Sequence, residues 1–211
     1  LAASAAVTII AGVGFAAQSQ PVTGAAIWRR DAGFMQRFHK QCDGRSGAEF
    51  DACFAAAMAK AGASPAALDF TRHLDNEAYL QAVDEYGGPV VLAHVFYPFR
   101  ANENDAWFLV NRTPPLIDVD DRRYLALAAI RSSAAYGEIR QRYPNVNFWP
   151  GDRGASAPRV SWGGRKFVIG YLLRDQCHAC AIVGRVRFGF VFGAGGKFLR
   201  TRLISVIAGA G

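Results

Sequence analysis

No charged side chain occurs before Arg29 in this 211-residue chain. Methionine is scarce, at two residues, and histidine and cysteine occur four times each. Carboxylates nearly vanish toward the end: after residue 155, Asp175 is the single acidic residue. The motifs G-x-S-x-G, H-E-x-x-H, G-x-x-x-x-G-K-[ST] and G-x-G-x-x-G are all missing. That removes the sequence signatures of nucleophile-elbow hydrolases, zincins, P-loop proteins and dinucleotide-binding folds. No internal repeat and no long low-complexity segment is visible either. With 51% apolar residues, the chain is long enough for one globular domain with a proper core.

The lack of early charge has a consequence for compartment. Leu1–Ala17 (LAASAAVTIIAGVGFAA) is apolar and rich in Ala and Gly, like the central region of a secretory signal. Without an initiating Met, the chain is expected to start inside a longer gene product. Residues 1–19 are therefore expected to be a signal peptide, with small residues near Ala17 and Ser19 offering a cleavage site. An uncleaved membrane anchor and an ordinary buried helix are the alternatives. The run is slightly short of the roughly 20 residues that a spanning helix needs. The expected location is periplasmic or extracellular, with a membrane met only through this segment if it stays uncleaved.

Export changes the reading of the cysteines, because outside the cytoplasm even numbers usually pair. Cys42, Cys53, Cys177 and Cys180 suggest two local bridges, 42–53 and 177–180.

Residues 25–211 are expected to form one α+β domain, with a helical part over 25–86 and a sheet part over 87–211. In the first part, Ala26–Cys42 and Ala48–Ala61 read as helices. Phe50, Cys53, Phe54, Ala57, Met58 and Ala61 recur at the spacing of one buried helix face. Ser64-Pro65 then supplies an N-cap and a first-position proline for another helix. A Cys42–Cys53 bridge would clip the helical hairpin. In the second part, Val90–Phe99 and Trp107–Val110 read as a β-hairpin. Asp118 is expected to cap one long helix reaching Arg142, and 144–164 to be a loop with short strands.

The last fifty residues carry the clearest pattern. Odd positions from Phe167 to Leu173, and even positions from Cys180 to Phe192, are apolar or small. Such alternation implies strands with one buried face. If Cys177 faces Cys180, Leu173 meets Gly184, Tyr171 meets Val186, Ile169 meets Phe188 and Phe167 meets Phe190, so the apolar faces coincide. A one-residue slip would destroy that match. Continuing through Gly193–Gly196, Phe190 is expected opposite Leu199, Phe188 opposite Thr201 and Val186 opposite Leu203. A three-stranded antiparallel meander follows, with all strands joining one sheet and helices on one face.

The other side of this meander carries Lys166, Arg174, Arg185, Arg187, Arg200 and Arg202, with Arg187 expected opposite Arg202. Residues 155–211 hold nine basic side chains, and with them the whole excess of the chain's formal charge of +7. Opposed like charges are unfavourable unless something anionic joins them. Three readings stand: an acidic helix such as 118–142 covers the face, solvent covers it, or it binds an anionic ligand or acidic protein surface. Nucleic acid is disfavoured by the export signal, although the charge alone would permit it.

Cys177-His178-Ala179-Cys180 is the one motif that could name a chemistry. A thioredoxin-type centre places its first cysteine at a helix N-terminus, whereas Cys180 leads into a strand-like segment. Haem attachment needs His after the second cysteine, and Ala181 stands there. Zinc would need a fourth ligand from His39, His73, His94 or the distant cysteines, and neighbouring Cys177 and His178 ligate one ion poorly. A structural clip at a hairpin tip is the first reading, and a redox-active thiol pair the second. No cofactor and no metal is implied. The functional expectation is an exported, disulfide-stabilised binding or accessory protein without catalysis, with a thiol–disulfide redox protein as the alternative.

Overall fold

The computed structural model describes residues 22, 24–85, 88–101, 104–111, 116–149, 159–161 and 166–209, the backbone alone at Asn111 and 159–161. The apolar segment 1–19 and most of the 144–164 loop lie outside the described residues. Among the described residues no helix is long and apolar enough to cross a membrane.

Three helices come first: α1 (Phe34–Cys42), α2 (Gly47–Lys60) and α3 (Pro65–Arg72). Gly44 and Gly62, both at positive φ, end the first two, a conformation that glycine adopts at no steric cost. The Ser64 hydroxyl accepts from the Ala67 N–H and caps α3. The apolar face of α2 packs Cys53, Phe54, Ala57 and Met58 against Phe34, Phe38 and Tyr79. A Cys42–Cys53 disulfide joins α1 to α2, with Cα atoms 6.0 Å apart. The helical part is shorter than 25–86, however. Residues 27–33 precede the helix at Phe34, and Tyr79–Asp84 is a strand, β1. Its alternation is blurred by a bulge between Leu80 and Ala82, and it is recognisable mainly by its partner.

That partner is β2 (Val90–Phe96), which also pairs with β3 (Asp105–Asn111) to give the expected hairpin; β4 (Ile117–Asp118) completes an antiparallel sheet in the order β1-β2-β3-β4. The remaining strands form a second antiparallel sheet. In it β5 (Val146–Phe148), β7 (Lys166–Asp175), β8 (Ile182–Phe192) and β9 (Phe198–Ala208) lie side by side, and β6 (Arg159–Ser161) pairs with β7. The α+β class holds, but the strands divide into two sheets instead of joining one. The first sheet is covered on both faces. Val90, Leu92, Leu109 and Ile117 meet the second sheet, while Ala93, Val95 and Phe108 meet Phe70 and Leu74.

The expected long helix over 118–142 is broken into a 3-10 turn (Arg122–Tyr124), α4 (Leu127–Arg131) and α5 (Ala134–Arg142). Asp118 belongs to β4 and accepts from the Asp120 N–H, while Asp121 caps the turn and Ser133 caps α5. Asp118–Asp121 and Ser132-Ser133 are rich in side chains that compete for backbone hydrogen bonds, which favours turns over continuous helix. Leu125, Ile130 and Ile139 from this segment are buried among Tyr171, Phe188 and Phe190.

From Phe167 to Leu173 the β7–β8 register agrees with the arithmetic: Leu173 meets Gly184, Tyr171 meets Val186, Ile169 meets Phe188 and Phe167 meets Phe190. An irregularity after Leu173 then sets Arg174 opposite Ile182, and Val183 enters the core in place of Ile182. The β8–β9 register does not agree with the arithmetic. Phe190 meets Thr201 and Phe188 meets Leu203, two residues beyond expectation. A slip of two keeps the same face buried. The turn accounts for one extra residue, since Phe192 already meets Phe198, and two irregularities, at Val191/Phe192 and Arg187/Phe188, add one each, so that Val186 meets Val206 in place of Leu203. The first sends Phe198 inward against Phe192 and leaves Leu199 54% exposed. The second leaves Ile204 unpaired and sets Arg187 opposite Ser205, the preceding two-residue slip having already carried Arg187 away from Arg202.

Gly184 is where this packing is tightest. A Cβ there would lie 2.8 Å from the Ile207 carbonyl oxygen and 3.0 Å from Ile139 Cδ1. Gly184→Ala should therefore destabilise by about 1–3 kcal/mol. Gly189→Ala should cost clearly less, because its nearest neighbours are flexible side-chain ends of Ile204 and Lys166. Urea denaturation of both variants checks the order, and equal losses would contradict it. Replacing Cys42 and Cys53 by Ala should lower stability by about 2–3 kcal/mol, given the 11-residue separation; an unchanged denaturation midpoint would show that the bridge constrains little.

Candidate functional site: the outer face of the second sheet

Strand periodicity sorts the second sheet into an inner apolar face and an outer basic one. Lys166 and Arg174 of β7, Arg185 and Arg187 of β8, and Arg200 and Arg202 of β9 all fall on the outer side by register. Arg187, Arg200 and Arg202 are exposed, and Lys166, Arg174 and Arg185 half-buried. The 118–142 segment does not cover them, since its apolar residues are spent on the inner face. Among the described residues the ion pairs lie elsewhere, at Arg37–Asp31, Arg72–Asp69, His94–Asp105 and Arg123–Asp121.

The expected like-charge contact between Arg187 and Arg202 is avoided by the two-residue slip of β9. Arg202 sits opposite Gly189, and Ile204 folds over the same glycine. Ile204 and Ile207 remain 41% and 52% exposed beside the arginines. Two polar atoms are buried here without a hydrogen-bond partner among the described residues, Nε of Arg185 and Oγ of Ser205. Unsatisfied buried groups are uncommon in folded proteins and mark positions where a partner is missing. β9 pairs with β8 along one edge only, and among the described residues no strand occupies the other.

Arg174 separates from this group. Its Nη1 donates to the Cys180 carbonyl at 2.8 Å, so it braces the β7–β8 tip. There Cys177 and Cys180 form a disulfide with Cα atoms 5.0 Å apart. Cys180 N–H donates to Cys177 O, and Asp175 N–H to Ala181 O. No helix starts at either cysteine, so no helix dipole is available to stabilise a thiolate. Gln176 holds a left-handed backbone (φ 69°), with its N–H given to Asn145 O and its carbonyl taking Nδ2 of Asn147. These bonds tie the tip to the start of β5. His178 is exposed, with its ring 5.8 Å from that of Trp149. Among the described residues no three His, Cys, Asp or Glu side chains gather as metal ligands.

Two groupings escaped sequence reasoning. Nε2 of His94 lies 2.7 Å from Oδ1 of Asp105, and its ring stacks on Trp107 at 4.5 Å. The three residues face one another across β2 and β3, a pairing that exact hairpin register could have revealed. Nearby, burial raises the Tyr79 phenol above its ordinary value. The second grouping joins Arg122, Arg131 and Arg140 around a cleft opposite β5; those residues lie outside the basic C-terminal quarter of the sequence, and no motif marks them.

No protein-family model, no curated protein and no solved structure matches this chain.

With both cysteines at a hairpin tip, the disulfide is expected to be a structural bond with a reduction potential below about −300 mV. Equilibration against glutathione or dithiothreitol buffers measures it. A value well above that limit would move the pair to the redox reading.

Proposed function

We propose that this chain is an exported, disulfide-braced binding or accessory protein, and that the outer face of its second sheet receives an acidic protein surface. The observation that carries the reading is the outer face itself: Arg187, Arg200 and Arg202 are exposed, no carboxylate pairs with them among the described residues, and Arg185 Nε is buried without a partner. Guanidinium groups suit carboxylates because their planar fork donates two parallel hydrogen bonds. Ile204 and Ile207 add exposed apolar area between the charges, the mixture that a protein partner can bury while meeting the arginines at the rim.

The two disulfides and the apolar segment 1–19 support export. A thiol–disulfide role for Cys177 and Cys180 is the second reading, favoured by one observation, the solvent exposure of Cys177.

Reversing two outer charges tests the first reading. Wild-type protein should bind a fluorescent polyglutamate peptide, and the double variant Arg187→Glu/Arg202→Glu should lose about tenfold or more in affinity, with the wild-type binding weakening as salt rises. Fluorescence anisotropy reads the outcome. Unchanged binding in the double variant would remove this face as the site.

A further inference from the structure

The cleft beside β5 is a second, separate place where positive charge is gathered. It has a volume of about 600 Å³, within the roughly 300–1,000 Å³ typical of small-ligand sites. One wall is the 3-10 turn with α4 and α5, which bring Arg122, Arg131 and Arg140 to it. The other wall is the segment from Pro144 to Phe148, and among the described residues no carboxylate lines the cleft.

Three arginines in one concavity call for a physical account. Helix polarity offers part of one, since Arg131 and Arg140 lie toward the C-terminal ends of their helices, where cations are favoured. It does not explain convergence. Neighbouring arginines show the ordinary alternatives. Arg123 is taken up by Asp121 at 2.5 Å, and its guanidinium holds that carboxyl below its ordinary value. Arg142 lies with its Cζ 5.6 Å from the centroid of the Tyr143 ring. Arg122, Arg131 and Arg140 make no ion pair among the described residues and instead face a common space. Between them stand neutral groups that suit a polar organic ligand. Asn147 spends its amide N–H on the Gln176 carbonyl, which leaves its oxygen as an acceptor. Tyr136 and Phe148 supply flat apolar surface.

We infer that this cleft binds a small ligand carrying two or three oxyanion groups, such as phosphates, sulfates or carboxylates. The three guanidinium groups clamp the oxyanions, and the Pro144–Phe148 wall faces them. The wall that completes the site is held in place from behind, because Asn145 and Asn147 are both bonded to Gln176 at the β7–β8 tip. The cleft lies with the inner-face helices, whereas the proposed protein-binding surface is the opposite side of the sheet. The two inferences therefore stand or fall separately.

Isothermal titration calorimetry with two probes tests it: inorganic tripolyphosphate, and a fully sulfated uronate-containing disaccharide. Binding of at least one probe is expected, and it should fall tenfold or more in Arg131→Glu/Arg140→Glu. Arg131→Gln/Arg140→Gln, which removes charge without reversing it, should show a smaller loss in the same direction. The outer-face variant Arg187→Glu/Arg202→Glu should bind within about twofold of wild type. Preference for tripolyphosphate would mark phosphate as the recognised group, and preference for the disaccharide an acidic sugar. Far-UV circular dichroism and melting curves confirm folding, and both arginines are exposed. The inference is overturned if neither probe binds the wild-type protein, if the cleft variants bind as wild type does, or if the outer-face variant loses as much as they do.

Discussion

The inner face of the β7–β8–β9 meander must be kept from water, and most of the architecture follows from that constraint. Phe167, Ile169, Tyr171, Val186, Phe188 and Phe190 form a continuous apolar surface, each 1% exposed or less. One layer cannot cover it. The first sheet supplies Leu92, Leu109 and Ile117, and the 118–142 segment supplies Leu125, Ile130 and Ile139. Apolar burial of this kind stabilises by about 25 cal/mol per Å², and it competes directly with the alternative of laying that segment over the arginines. Tyr171 marks the junction: its hydroxyl donates to the Val119 carbonyl at 2.5 Å, satisfying a buried polar group where the two sheets meet.

This allocation explains why the outer face stays basic and exposed. Two carboxylates of the 118–142 segment are committed to local turns instead. Asp118 and Asp121 accept backbone N–H groups, and Asp121 also takes Arg123. The same choice opens the cleft, because breaking the segment into short helices brings Arg122, Arg131 and Arg140 around one space. The disulfide at the β7–β8 tip contributes at a distance. It braces the turn whose Gln176 backbone holds Asn145 and Asn147, and those residues form the far wall. A hairpin clip, a short edge strand and the proposed ligand cleft are thus one mechanical unit.

Elements with a strong local signal were legible. The face of α2, the Ser64-Pro65 start of α3, the β2–β3 hairpin and the β7–β8 register all follow from periodicity, capping or arithmetic on a two-residue turn chemistry. β1 was not, because a bulge disrupts its alternation and its identity comes from pairing with β2. The β8–β9 register failed by one residue in the turn and one at each of two bulges, extra residues that leave no mark in an alternating pattern. The basic face was legible as a side of a sheet, since Arg200 and Arg202 lie where the slip is even, but the contacts within it were not. His94–Asp105 depends on the exact register of the β2–β3 hairpin, and the arginine cleft on the break of 118–142 into short helices, which the expectation of one long helix concealed.

By itself the sequence determined the class of the fold, the two local cysteine pairs and the separation of apolar from basic residues on the final strands. Those depend on chain geometry of a few residues: strand alternation, helix spacing and short loop closure. Tertiary structure alone decided that the strands form two sheets, that 118–142 covers the inner face, and which arginines are neighbours. Those depend on competition among distant apolar surfaces for the same cover, and a β-bulge is enough to change the contacts while leaving the pattern intact.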